Sequence, residues 1–308
     1  MKFFKYIVYI SLLFLVFALY KANYIVLPDI VAPYAALLSF IFLFAGFIMN
    51  ALSWRQVLKA NLHKTSVSDS IASVGLSVFG KYIPGKVWLI VGRAAYIAEK
   101  YSLKTAKLSS LSLNAQLIIL WLGLMFGATG LLILRGIKSY GWIILIMWLI
   151  LTIIIFSDVV HRIVEKLIKN ILKRTITIPR LNFIPTIRII PWFILYWLFY
   201  SAGFYFLVKS LSSGEVPVAA AFAFPLAGTL GVMAIIAPGG LGVREGVMVT
   251  YLVLAGFSAQ AAMSISIAAR LWYLIGEIFI FITGIIINRS GKSKNNIPDK
   301  TITNGSTN

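Results

Sequence analysis

The sequence predicts an all-α polytopic integral membrane protein with about six full transmembrane helices and two broken re-entrant hairpins arranged as an inverted repeat. Of its 308 residues, 60% are hydrophobic and only 12% are charged, about half the charged share of ordinary soluble domains. Many of the apolar residues fall in runs of bilayer-spanning length. Two further apolar regions are interrupted by Gly and Pro.

Six stretches can cross a bilayer, which needs about 17 to 25 mostly apolar residues. They are 3–20, 34–52, 108–134, 140–156, 191–208 and 258–287. The first resembles a signal peptide but lacks a small-x-small cleavage site, so we expect it to remain as a span. We therefore expect one membrane domain over 1–288, and a polar tail over 289–308 that is disordered.

Two further apolar regions are unlike simple transmembrane helices, because Gly and Pro interrupt them. Segments 71–79 and 87–98 flank the break GKYIPGK at 80–86, and segments 218–237 and 247–257 flank the break PGGLGVREG at 238–246. Pro removes a backbone donor and Gly weakens a helix, which membranes tolerate only where protein or a water-filled cavity shields the backbone. Both regions are predicted to be re-entrant hairpins. Because 218–237 is long enough to cross alone, seven or eight spans remain an alternative.

The charges predict the orientation. There are 28 Lys and Arg against nine Asp and Glu, a net +19 that in a soluble domain would suggest nucleic acid. With both termini cytoplasmic, 19 of the 28 cations lie inside and four outside, as the positive-inside rule favours. The inside set includes a basic loop at 157–190, expected on anionic lipid. We expect membrane lipids, and no nucleic acid, as partners.

This arrangement has internal symmetry. Half-repeats of about 1–138 and 139–288 each run span, span, hairpin, span, and they have opposite orientations. Gly/Pro-interrupted segments at corresponding places in inverted halves indicate a transporter binding site near the bilayer midplane.

The second break has the composition of an anion receptor. Gly239, Gly240 and Gly242 let the backbone bend and approach a ligand, and a helix starting at 243 would direct its free N–H groups at the bend. Arg244 could bind a phosphate, while Glu245 could hold Arg244 or receive a cationic headgroup. The alternative is a tight loop in which the two side chains neutralise each other.

The first hairpin offers a matching set of cations. Lys81 and Lys86 bracket a Pro-Gly pair, and Arg93 follows two helical turns beyond Lys86 on nearly the same face. They predict an electropositive pocket that opens toward the cytoplasm and suits a phosphodiester headgroup. The alternative is that both lysines extend to the interface and Arg93 only sets topology.

The final span carries both signs of charge. Arg270 and Glu277 are seven residues apart, about 10 Å along a helix and too far to pair directly. We expect Glu245 as the partner of Arg270, and Arg244 or Arg93 as the partner of Glu277. A purely structural interhelical ion pair is the alternative.

Several chemistries are excluded or disfavoured. The chain has no Cys and two His, which excludes disulfides and Cys-ligated metals and disfavours a His-rich metal site. There is no nucleotide-binding motif and no Asp-x-Asp pair of the kind that holds a metal in sugar-nucleotide enzymes. We expect no metal, no cofactor and no enzymatic activity.

The two breaks resemble those of a known family, the flippase-like membrane domain of lysylphosphatidylglycerol synthases, which also occurs alone. The resemblance covers about 6–287 and is carried by GKYIPGKVW at 80–88 with Gly92 and Arg93, and by PGGLGVRE at 238–245. It implies an integral inner-membrane protein that moves lipids between leaflets or handles lipid-linked precursors. The synthase domain is not among these residues, so lysyl transfer is not implied.

The sequence thus predicts a lipid translocase for a phospholipid or polyprenyl-linked precursor. A non-transporting accessory subunit of an envelope lipid or glycan biosynthesis complex is the alternative, with the basic loop as its docking surface. An intramembrane enzyme using Glu245 as a base is disfavoured, because no partnering His or nucleophile accompanies it.

Overall fold

A computed structural model describes residues 30–61, 65–83, 87–136, 141–157, 183–234, 240 and 242–295. Every regular element in these ranges is helical, which confirms the all-α polytopic membrane fold. The predicted first span, 158–182 of the basic loop, most of the tail, and the residues Lys86 and Gly239 lie outside the described ranges.

Four described helices are long and apolar enough to cross a membrane. They are α1 (Pro33–Asn61), α4 (Thr105–Arg135), α6 (Phe183–Leu211, apolar over Thr186–Leu211) and α9 (Ala259–Asn295, apolar over Ala259–Ser290). They contain four of the six predicted spans. Helix α5 (Gly141–Phe156), at the predicted span 140–156, has 16 residues and a length of about 24 Å.

Helix α6 begins well before the predicted start at 191, so the end of the predicted basic loop is helical. Pro185 lies in its first turn, where the missing N–H has no intrahelical acceptor to lose. Pro191 lies inside the helix and removes one backbone hydrogen bond there. Next to it, Ser53 of α1 donates its hydroxyl to the Trp192 carbonyl at 3.0 Å, which ties the two helices together.

Two helix pairs separate these longer helices. The first hairpin consists of α2 (Val67–Ser77), a 3₁₀ turn (Val78–Tyr82) and α3 (Val87–Lys100). The second consists of a 3₁₀ turn (Val218–Phe222), α7 (Ala223–Met233) and α8 (Val243–Leu254). Each arm is at most about 26 Å long, shorter than the roughly 30 Å hydrocarbon core. The second arm of the second hairpin begins at Val243, where the sequence predicted a helix to start, and thus four residues before the apolar segment 247–257.

The contacts between helices pair corresponding elements of the two predicted halves. Helices α1 and α6, at corresponding places, form the most extensive helix pair. The first arm of each hairpin packs on the final long helix of the other half, α2 on α9 and α7 on α4. The second arms pack on the long helix that follows them, α3 on α4 and α8 on α9. Each hairpin therefore contacts both halves.

Glycines allow the crossed contacts to be close. A Cβ at Gly75 of α2 would overlap the carbonyl oxygen of Ile280 and lie 3.2 Å from the Cα of Gly284, both on α9. A Cβ at Gly127 of α4 would lie 2.6 Å from Leu226 of α7. Because lipid offers no hydrophobic force between helices, such small residues make the close packing that holds membrane helices together.

Aromatic side chains fill the centre where both hairpins meet the long helices. Tyr200 of α6 is fully buried, and its ring centroid lies 5.5 Å from Phe47, 4.8 Å from Tyr196, and 5.7 Å from both Phe224 and Tyr273. Two of these rings, Phe224 and Tyr273, contact the buried guanidinium of Arg244.

Candidate functional site

The second break is built around two glycines with positive φ. Gly240 has φ +74° and Gly242 has φ +80°, in the left-handed region that favours Gly. A Cβ at Gly240 would also lie 2.8 Å from the carbonyl oxygen of Gly231, so this segment packs directly on the backbone of α7. Both requirements explain why the sequence places Gly here.

Glu245 lies in the first turn of α8 and has two contacts. Its Oε2 accepts a hydrogen bond from the Gly242 N–H at 2.7 Å, which caps the helix. Its Oε1 lies 3.6 Å from Nη1 of Arg270 on α9. The predicted pairing of Glu245 with Arg270 is confirmed.

The predicted partner of Glu277 is wrong. This carboxylate, with no exposed surface, forms an ion pair with Lys81 and accepts a hydrogen bond from the Tyr82 hydroxyl at 2.7 Å. Neither Arg244 nor Arg93 is its partner among the described residues. The reason is that the first hairpin packs its 3₁₀ turn on α9, so the turn's own Lys and Tyr reach the acid.

Arg244 is 8% exposed and lies against two neighbouring aromatic rings. Its Cζ is 4.8 Å from the Phe224 centroid and 4.7 Å from the Tyr273 centroid, an arrangement that stabilises a cation by cation–π attraction. Within the described ranges its Nη2 has no hydrogen-bond acceptor, and no carboxylate lies within ion-pair distance of it. It is therefore a buried cation with an unused donor.

These groups form one contiguous set, which we name the central charge cluster: Lys81, Arg244, Glu245, Arg270 and Glu277. Tyr273 links Lys81, at 4.4 Å, with Arg244. Tyr82 links Lys81, at 5.3 Å, with Arg270, at 5.7 Å. Three cations face two carboxylates, so the cluster carries one formal positive charge beyond its acids.

Arg93 has a different set of contacts from Lys81. Its guanidinium lies 4.8 Å from the Trp54 ring, Nε donates to Ser112 Oγ at 2.6 Å, and Nη2 donates to the Ser112 carbonyl. Neutral acceptors on α4 therefore hold this cation. Lys81 and Arg93 share no contact partner among the described residues. Because Lys86 lies outside those residues, the pocket formed by the three cations stays a prediction.

A second polar group closes the base of the first hairpin. Asp69 forms an ion pair with Lys100 and accepts a hydrogen bond from the Tyr101 hydroxyl at 2.6 Å. Burial raises the pKa of the Asp69 carboxyl, but the hydrogen bonds from Lys100 and Tyr101 outweigh burial and hold that pKa below its ordinary value. These contacts join the start of α2 to the end of α3.

The sequence analysis missed the aromatic part of the cluster. Tyr273 lies three residues after Arg270 and four before Glu277, which places all three on one helix face. Tyr82 lies inside the first break, next to Lys81. Both spacings were visible, but Phe224 came from an apolar run that gave no signal.

The chain belongs to the family described as the lysylphosphatidylglycerol synthase TM region, whose family model matches residues 4–282. Neither a curated protein nor a solved structure matches the chain. Membership shows a multi-pass membrane protein and points to a role connected with membrane lipids.

Proposed function

We propose that this protein binds the phosphate of a lipid headgroup at Arg244 and moves the lipid between the leaflets of the cell membrane. The lipid is a phospholipid or a polyprenyl-linked precursor, and the process includes no chemical step. Both termini lie on the cytoplasmic side.

Arg244 carries this proposal. Charged side chains inside a membrane are costly and generally serve function, and this one has no carboxylate partner among the described residues and an unused Nη2 donor. A guanidinium with an unused N–H donor is suited to phosphate oxygens. The first turn of α8, which contains Arg244, adds backbone N–H groups that lack intrahelical acceptors.

The helix packing supports movement of such a site. Lys81 comes from the first hairpin and Arg244 from the second, and each hairpin packs on long helices of both halves. Rocking of the halves against each other would therefore change which side reaches Arg244 while the lipid chains stay in the bilayer.

Reconstitution tests the proposal. Purified protein is placed in liposomes with acyl-chain-labelled fluorescent phosphatidylglycerol, and dithionite quenching follows lipid transfer. We expect Arg244→Gln to slow transfer at least about tenfold, since a hydrogen bond to a charged group contributes about 1.5–3 kcal/mol and each 1.4 kcal/mol is tenfold. Arg244→Lys keeps the charge but not the planar fork, so its rate should be intermediate.

Arg289→Gln is the matched control. Arg289 lies on α9 outside the cluster and is exposed, so its loss should leave the rate unchanged. If the wild-type protein transfers neither phosphatidylglycerol nor a labelled polyprenyl phosphate, the translocase proposal fails and the non-transporting accessory subunit becomes the better explanation.

A further inference from the structure

We propose that the site at Arg244 recognises lipid headgroups that present a hydrogen-bond donor, a hydroxyl or an ammonium N–H, beside the phosphate. The inference rests on the proposed function and specifies the substrate class of that same site. It follows from a second unpaired polar atom, Oε1 of Glu245, which belongs to the next residue along the chain.

The Glu245 carboxylate has one oxygen in use and one that accepts no hydrogen bond. Its Oε2 accepts the Gly242 N–H. Its Oε1 is buried and has no hydrogen-bond partner within the described ranges. Nη1 of Arg270, at 3.6 Å, is near enough for an ion pair but too far for a hydrogen bond. A buried acceptor without a donor costs free energy and is rare in native structures, so a donor on the ligand would stabilise the complex.

The two unpaired atoms are complementary and lie at one place in the fold. Nη2 of Arg244 can only donate a hydrogen bond, and Oε1 of ionised Glu245 can only accept one. Both residues are in the first turn of α8. Both side chains also reach one turn of α9, because Arg244 lies against Tyr273 and Glu245 lies near Arg270, three residues earlier. Three residues span about 4.5 Å along a helix, so one headgroup can meet both atoms.

A phosphodiester alone satisfies only one of these atoms. Its oxygens accept a hydrogen bond from Arg244, but an ionised diester has no hydrogen to donate to Glu245. A headgroup with a hydroxyl or an N–H a few atoms beyond the phosphate satisfies both and removes the cost of the unpaired acceptor. The site therefore favours such headgroups over alkyl or fully methylated ones.

The test compares two pairs of acyl-labelled lipids in the dithionite assay, and the members of each pair have the same net charge. Phosphatidylglycerol and phosphatidylpropanol are both anions, but only the first has headgroup hydroxyls. Phosphatidylethanolamine and phosphatidylcholine are both zwitterions, but only the first has N–H groups. We expect the donor-bearing lipid of at least one pair to move at least about ten times faster than its partner. Tenfold is about 1.4 kcal/mol, within the cost of an unpaired buried acceptor.

The pair that differs identifies the donor as a hydroxyl or an ammonium group. Equal rates within both pairs would overturn the inference while leaving translocation intact. No transfer of any of the four lipids would count against translocation itself, and lipid binding would then decide the inference.

A variant tests the cause of the preference. In Glu245→Gln the side-chain carbonyl can still accept the Gly242 N–H, and an amide group with two donors and no acceptor then replaces Oε1. The rate ratio within the selective pair should fall to about one, whereas a preference due to headgroup size would persist. Glu215→Gln is the matched control, because Glu215 is exposed and outside the cluster, and it should keep the wild-type ratio. A wild-type ratio in Glu245→Gln would overturn the inference.

A binding measurement on the wild-type protein covers the case in which Glu245→Gln does not fold or no lipid is transferred. The thermal unfolding midpoint of the detergent-solubilised protein is measured with each of the four lipids, because a ligand that binds the native state raises it. We expect the donor-bearing lipid of at least one pair to give the larger rise. Equal rises within both pairs would overturn the inference.

Discussion

At the scale of single residues, the sequence predicted which groups are buried and charged better than it predicted their partners. The pairing of Arg270 with Glu245 was predicted correctly, because Arg270 on the final span needed a partner of opposite charge and Glu245 lies in the neighbouring second break. Glu277 was assigned to an Arg, and its partners are Lys81 and Tyr82. Helical spacing tells which residues share a face, but a contact across 196 residues depends on which helices pack together.

The Tyr82 hydroxyl provides a test at this scale. Tyr82→Phe removes the donor to Glu277 but keeps the ring, so the buried carboxylate loses one of its two contacts. We expect a loss of about 1–3 kcal/mol in the free energy of unfolding, seen as a lower thermal midpoint in detergent. Tyr205→Phe is the control, because that hydroxyl is 3.5 Å from its acceptor, the Val216 carbonyl, and its loss should change the midpoint little. Equal effects would contradict the stabilising role of the Tyr82–Glu277 bond.

At the scale of elements, apolar length and Gly/Pro interruptions predicted the long helices and the places of both hairpins. The boundaries were less accurate. The loop before α6 was predicted to reach 190, whereas the helix begins at Phe183 with Pro185 in its first turn, a position that accepts Pro. The cross-packing of α2 on α9 was not predicted, because Gly75 and Gly284 are 209 residues apart and neither position alone signals a contact.

Glycine substitutions test that cross-packing. Gly75→Ala introduces a methyl group against the backbone of α9, which cannot move aside as a flexible side chain can. We expect a net destabilisation of about 1–3 kcal/mol, although Ala favours a helix over Gly by about 1 kcal/mol. Gly228→Ala on α7 is the matched control, since its nearest neighbour would be Trp197 at 3.8 Å, and it should keep or raise the thermal midpoint. The order of the two midpoints decides whether α2 and α9 touch through their backbones.

At the scale of the whole molecule, an inverted repeat was predicted from the order of spans and breaks. The contacts between helices pair corresponding elements of the two predicted halves, and the opposite orientation of the halves stays a prediction. Composition and the two breaks carry this prediction because the bilayer restricts the spanning structures to a few kinds. The aromatic centre could not be predicted in this way. Tyr200, Phe224 and Phe47 come from three helices, and in a chain this apolar an aromatic side chain predicts neither a lipid-facing nor a central position.

The orientation of the whole chain can be tested by labelling, because the chain has no Cys and any introduced thiol is unique. Positive-inside counting places the loop between α3 and α4 in the cytoplasm and the loop between α6 and the second hairpin outside. Lys104 and Ser213 are exposed in these loops. We expect a membrane-impermeant maleimide to label Ser213→Cys in intact cells, and Lys104→Cys only after permeabilisation. The reverse pattern would invert the topology. Labelling of both from one side would mean that the helices between them cross an even number of times, which would remove the opposite orientation of the two halves and with it the alternating movement proposed for Arg244.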